Sequence, residues 1–232
     1  MDINFSKFEE KVGVIFKDKG LLRQAFTHRS YINENKNTKF EHNERLEFLG
    51  DAVLELVVTD FLYHTYPTKP EGELTTYRSA LVNAVTLSEV ASNLTMNDYL
   101  LLSKGEAKDM GRARQYILAN TIEAVIGAIY MDLGYAAAKG FIEKNIFVFA
   151  DKMIQGGNLV DAKSTFQEKA QEKTGITPSY KLLRESGPDH DKSFSVAVMI
   201  GKDQIATGEG KSKQEAEQNA ALRGLEVKGW SA

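Results

Sequence analysis

The stretch from Tyr116 to Asp132, YILANTIEAVIGAIYMD, constrains the fold more than any other. It is apolar almost throughout and contains no proline. A helix that is apolar nearly all round has to be buried. Yet Glu123 stands near its middle, among Ile122, Val125, Ile126 and Ile129. A carboxylate in such surroundings needs a cation beside it, or it takes up a proton. Any fold of this chain must therefore bury the segment and provide for Glu123. Arg112 and Arg114 are the nearest basic residues, but they precede Glu123 by two or three turns. Asn120, one turn before it, supplies only a dipole.

The apolar periodicity divides the chain. Up to about Phe149 it is helical, with recurrences such as Leu46, Leu49, Val53 and Leu56. The segment Pro67 to Gly72, PTKPEG, separates two such helices. Residues 1–152 are read as an all-helical domain, and the Gly156–Gly157 pair marks a linker over 153–160. Beyond it the period changes. STFQEKAQEKTG predicts a short helix closed by Gly175. Three strand-like runs follow, the middle one alternating Phe194, Val196, Val198 and Ile200. An alanine-rich helix ends the segment. The expected class is multidomain, α followed by α+β, with an α-β-β-β-α unit over residues 161–230.

Composition excludes several classes of function. There is no cysteine, hence no disulfide and no thiolate metal site. A net charge of −3 argues against a protein that coats nucleic acid by bulk positive charge, so any such contact is local. The N-terminal MDINFSKFEEKVG lacks the apolar core of a secretory signal, and no run approaches a membrane span. A cytoplasmic protein without a membrane partner is expected. His28, His42, His64 and His190 are scattered without zinc-type spacing. The segment GEGKS, from Gly208, lacks the first glycine of a phosphate loop, because position 205 is Ile205.

A second acidic segment bears on Glu123. In NERLEFLGDAVLEL, Glu44, Glu47 and Asp51 are spaced three and four residues apart. At about 100° per residue they share one stripe of a helix. Taken alone, such a stripe is a solvated acidic face, with the apolar residues roughly opposite. If the two helices pack with their polar positions facing, Glu47, Asp51, Asn120 and Glu123 converge as oxygen ligands. Crowded carboxylates call for a divalent cation, and an all-oxygen set suits magnesium, or manganese in its place. Gly50 and Gly127 would allow close approach of the two backbones.

NERLEFLGDAVLEL closely resembles the signature of the ribonuclease III family, the metal-dependent nucleases that cut double-stranded RNA. LLRQAFTHRSY, EGELTTYRSALVN, LLLSKGE and LANTIEAVIGAIY resemble its other motifs in order. The run from DAKSTFQEKAQ through GPDH to GEGKSKQEAEQNAA resembles the double-stranded-RNA-binding domain that follows in bacterial members. The similarity spans nearly the whole chain.

The resemblance implies an endoribonuclease that hydrolyses duplex RNA with magnesium and leaves 5′-phosphates, 3′-hydroxyls and short 3′ overhangs. It implies a homodimer, substrates among precursors of ribosomal RNA and some messages, and no small-molecule cofactor. Glu47, Asp51 and Glu123 match the family's metal ligands, with Asp51 and Glu123 catalytic. Glu44 matches an acid that helps bind the cleavage site. Asn120 takes the fourth ligand position, where the family usually has Asp. That departure leaves open a rival reading, a protein that binds duplex RNA but cleaves it weakly or not at all. Phe48 is either core or, as the family suggests, a contact with the partner subunit. In the second domain Ser164, Gln167 and Glu168 match residues that reach a minor groove. Pro188 and His190 match the loop entering the next groove. Lys211, Ser212 and Lys213 match a phosphate contact at the start of the last helix. Residues 161–230 hold eleven basic and eleven acidic residues, so binding there must come from placement rather than net charge.

Overall fold

The computed structural model describes residues 3–38, 40–149, 162–188 and 192–230. The chain divides into two compact units, 1–159 and 160–232. The expected linker, 153–160, lies outside the described residues.

The first unit is helical, as expected. Its helices are α1 (Ser6–Val12), α2 (Lys19–Ala25), α3 (Arg29–Glu34), α4 (Glu44–Thr65), α5 (Glu71–Val82), α6 (Ala84–Asn93), α7 (Arg112–Leu133) and α8 (Tyr135–Asn145). Short 3₁₀ turns at Met96–Tyr99 and Glu106–Lys108 lead into α7. Local chemistry marks several ends. Gly13 closes α1 at a φ of 75°. The side chain of Asp18 caps α2 by accepting from the Gly20 N–H at 2.7 Å. Pro70 stands just before α5, so the break between α4 and α5 ends sooner than expected and Gly72 is helical.

The core is built round α7, which packs against α2, α4, α6 and α8. Among the described residues, one helix, α7, matches a membrane span in length and apolar content. Its apolarity has a packing cause: Ile117, Leu118, Ile122, Val125, Ile126 and Ile129 are all buried inside the unit. On α4 the buried stripe is Leu46, Gly50, Val53, Leu54, Val57, Val58 and Leu62. Leu56, expected to be inward, is 58% exposed.

The two long helices meet backbone to backbone. A Cβ added to Gly50 would lie 1.8 Å from the Glu123 carbonyl oxygen, and one on Gly127 would lie 2.1 Å from that of Leu46. No side chain larger than hydrogen fits at either point without separating the helices.

The second unit contains α9 (Ala162–Thr174), β1 (Ser179–Ser186), β2 (Ser193–Ile200), β3 (Asp203–Gly210) and α10 (Lys213–Lys228). The strands form an antiparallel sheet in the order β1-β2-β3. The alternating residues Phe194, Val196, Val198 and Ile200 are buried, and Phe166 and Leu225 join Val198 and Ile200 in the core. Gly208 and Gly210 have a structural reason. A Cβ on Gly208 would stand 2.1 Å from the Ala220 nitrogen and one on Gly210 would stand 2.7 Å from that of Ala216. They let β3 lie against α10, in keeping with the rejection of GEGKS as a phosphate loop.

Gly50→Ala or Gly127→Ala is expected to destabilise the first unit by about 3 kcal/mol or more, at or above the upper range of overpacking. Gly140→Ala is the control: it sits in α8 with nothing within 4 Å of its Cβ position. It should be neutral or stabilising by about 0.5–1 kcal/mol. Urea denaturation followed by circular dichroism measures all three.

Candidate active site and nucleic-acid interface

The glycine-mediated crossing sets the site. Glu47 and Asp51 leave α4 on either side of Gly50, and Asn120 and Glu123 leave α7 just before Gly127. Burial raises the proton affinity of Glu123 most, and the charges of Asp51, Glu47 and Glu55 add to it, so its carboxyl is pushed up to about 8. Glu47 is also raised, first by burial and then by Glu44, with a smaller contribution from Asp51. The Asn120 amide acts in the opposite sense, favouring ionised Glu47 by hydrogen bonding.

No cation among the described residues answers the opening problem. Among the described residues, Glu47, Asp51 and Glu123 have no ion-pair partner. Arg114 is 6% exposed and its guanidinium is used elsewhere. Its Nε donates to the Asp109 carbonyl at 3.2 Å, Nη1 to Asn97 Oδ1 at 3.0 Å, and Nη2 to the Glu106 carbonyl at 2.7 Å. Arg112 is exposed at the start of α7. The four oxygen donors are neighbours but not a closed shell. Among the described residues, no three His, Asp or Glu side chains stand close enough together to hold an ion as they are. The donor set fits a hard divalent cation: three carboxylates and an amide oxygen around a site short of positive charge.

Glu44 stands at the edge of this group. It lies 3.4 Å from Arg29 Nη1 and 3.8 Å from His42 Nδ1, and its charge is felt by Glu47 rather than Glu123. Phe48 is 81% exposed, which rules out packing in the core of its own unit. One acid escaped the sequence reading. Glu55, four residues after Asp51 on α4, is the third charge felt by Glu123. The spacing from Asp51 was the available signal.

On the second unit, Ser164, Gln167 and Glu168 lie exposed on α9, away from buried Ala162, Phe166 and Ala170. Lys211, Ser212 and Lys213 are exposed where α10 begins. The backbone there is less free than expected. Ser212 Oγ accepts from the Glu215 N–H at 3.1 Å, and Glu215 Oε2 accepts from the Lys211 N–H at 2.7 Å. This reciprocal cap consumes two N–H groups and brings a carboxylate to the helix start. The exposed positive groups at this point are the two lysine side chains rather than the helix end. Pro188 is exposed; His190 lies outside the described residues.

Residues 18–149 match the family described as Ribonuclease-III-like, and residues 162–228 match the double-stranded RNA binding motif. Ribonuclease 3 of Borreliella burgdorferi is 47% identical over 216 residues, covering 93% of this chain and 88% of its own. That of Bdellovibrio bacteriovorus is 43% identical over 229 residues, covering 98% and 97%. The nuclease domain of ribonuclease III from Campylobacter jejuni, a solved structure, is 39% identical with a TM-score of 0.57, covering 64% of this chain and 97% of that one. The chain thus joins a helical nuclease domain to a module for duplex RNA. It belongs to the ribonuclease III family.

The raised carboxyl predicts a stability effect with a definite sign. An acid whose folded value lies above its ordinary 4.5 stabilises the fold while protonated, and that contribution is lost as pH rises towards about 8. In metal-free buffer, Glu123→Gln should therefore melt above the wild type, with the gap widening from pH 5 to pH 8.5. Differential scanning calorimetry across that range checks it, and a gap that shrinks with pH contradicts it.

Proposed function

We propose that the chain hydrolyses phosphodiester bonds of double-stranded RNA at the site formed by Glu47, Asp51, Asn120 and Glu123, with magnesium, or manganese in its place. The observation that carries this reading is the α4–α7 crossing. It sets three carboxylates within one another's electrostatic reach and leaves them without a protein cation. Relatives named ribonuclease 3, similar over almost the full chain, support the activity, and they do not favour the non-cleaving alternative.

A divalent ion held here would supply Lewis-acid stabilisation of the phosphate and acidify water. The chain's own residues do the rest. Asp51 and Glu123 present oxygens from opposite helices, and the rigid crossing fixes their separation. Glu47 adds a third carboxylate, and the Asn120 amide partly offsets the burial that raises its proton affinity. Asn120 offers an oxygen dipole in place of a full charge, which lowers affinity for the ion without emptying the position. Glu44, beside Arg29, borders the site and bears on the RNA backbone there. The products carry 5′-phosphates and 3′-hydroxyls with short 3′ overhangs, and precursors of ribosomal RNA are among the substrates. The second unit holds A-form duplex through Ser164, Gln167 and Glu168, the loop at Pro188 and His190, and Lys211 to Lys213. The working form is a homodimer in which Phe48 reaches into the partner subunit.

Long duplex RNA should be cut by the wild type in magnesium and left intact in EDTA. Asp51→Asn and Glu123→Gln should slow cleavage by about 10²-fold or more, the scale of losing one group that stabilises the transition state. Both should still shift duplex RNA in a gel. Cleavage by Asn120→Asp but not by the wild type would instead favour the RNA-binding alternative.

Phe48→Ala should weaken dimerisation by about 2 kcal/mol, roughly a thirtyfold rise in dissociation constant. Sedimentation equilibrium at low protein concentration reads this directly, and an unchanged dimer contradicts it.

A further inference from the structure

Along α4, Glu47, Asp51 and Glu55 stand four residues apart, so the three carboxylates form one line beside the crossing. The first two belong to the site. Glu55 is near enough for Glu123 to feel its charge, yet its own carboxylate is engaged elsewhere. Arg78, on α5, reaches across to α4. Its Nε lies 3.0 Å from Glu55 Oε2, and its Nη1 donates to Thr59 Oγ1 at 3.2 Å. The guanidinium thus bridges two successive turns of α4 and fixes Glu55 through a planar, directional contact that a lysine does not reproduce.

We propose that Arg78 is a positioning residue that withholds Glu55 from the metal site. A freed glutamate chain at this place could swing towards Glu123 and act as a further carboxylate ligand. Paired with Arg78, its charge is balanced and its Oε2 is held against α5. The pair thereby limits the site to three carboxylates and one amide. The inference rests on the metal-dependent reading above.

Its test is a double-mutant cycle on the full chain: wild type, Arg78→Met, Glu55→Gln and the double variant, each freed of metal and titrated with Mn²⁺ by calorimetry. The pair is half-exposed, so the released charge acts in high effective dielectric and its effect is moderate. Arg78→Met should tighten Mn²⁺ binding about fivefold, a size consistent with one such charge. Glu55→Gln should change it by less than about twofold, and the double variant should match Glu55→Gln, since the arginine has nothing left to restrain. If Arg78→Met folds poorly, Arg78→Gln takes its place in the cycle with the same expectations. Affinity unchanged by Arg78→Met, or a double variant that keeps the tightening, overturns the inference while the metal site stands. A wild type that binds no Mn²⁺ overturns the metal-dependent reading, and this inference with it.

Discussion

Everything in the first unit depends on two helices touching through their backbones. Gly50 and Gly127 remove the side chains that would otherwise hold α4 and α7 apart, and each glycine faces a carbonyl of the other helix. That contact packs the unit, because α7 is apolar enough to need complete enclosure and α4 is one of its principal walls. It also places the proposed site, because Glu47, Asp51, Asn120 and Glu123 all lie near the contact. The tightest packing in the unit and its least comfortable electrostatics occupy the same place.

The discomfort is the functional content. A stable fold without further purpose would neutralise Glu123 with a nearby arginine. Arg114 is close along the chain, yet it is tied to Asp109, Asn97 and Glu106 at the start of α7. Arg78, paired beside the acidic line, contacts Glu55 and leaves Asp51 and Glu123 alone. The charge deficit is thus confined to one spot while acids around it are balanced: Glu44 by Arg29 and Glu55 by Arg78. Uncompensated acids gathered at one spot are the pattern expected of a functional site.

The second unit solves a different problem. Its charges cancel in sum, so its attraction for RNA depends on which groups stand where. Small residues serve that end. Gly208 and Gly210 bring β3 up against α10, and the start of that helix then presents Lys211 and Lys213 beside the Ser212–Glu215 cap. A glutamate in the cap offsets the positive end of the helix dipole there.

Much of this was legible in the residues. The helical period of the first unit, the switch to alternation in Phe194, Val196, Val198 and Ile200, and the oddity of Glu123 follow from local pattern, which the chain carries in one dimension. The acidic spacing on α4 and the two glycines were also visible, though glycine in a helix signals close approach only if something approaches. What the tertiary structure alone decided concerns partners distant in sequence. That Leu56 faces outward, that Phe48 is bare, that Arg114 is spent away from Glu123, and that Arg78 holds Glu55 all depend on which helix lies across which. The sequence by itself determined that a carboxylate would be trapped in an apolar helix. The fold determined that, among the described residues, no cation pairs with it, because Arg114 is spent on Asp109, Asn97 and Glu106.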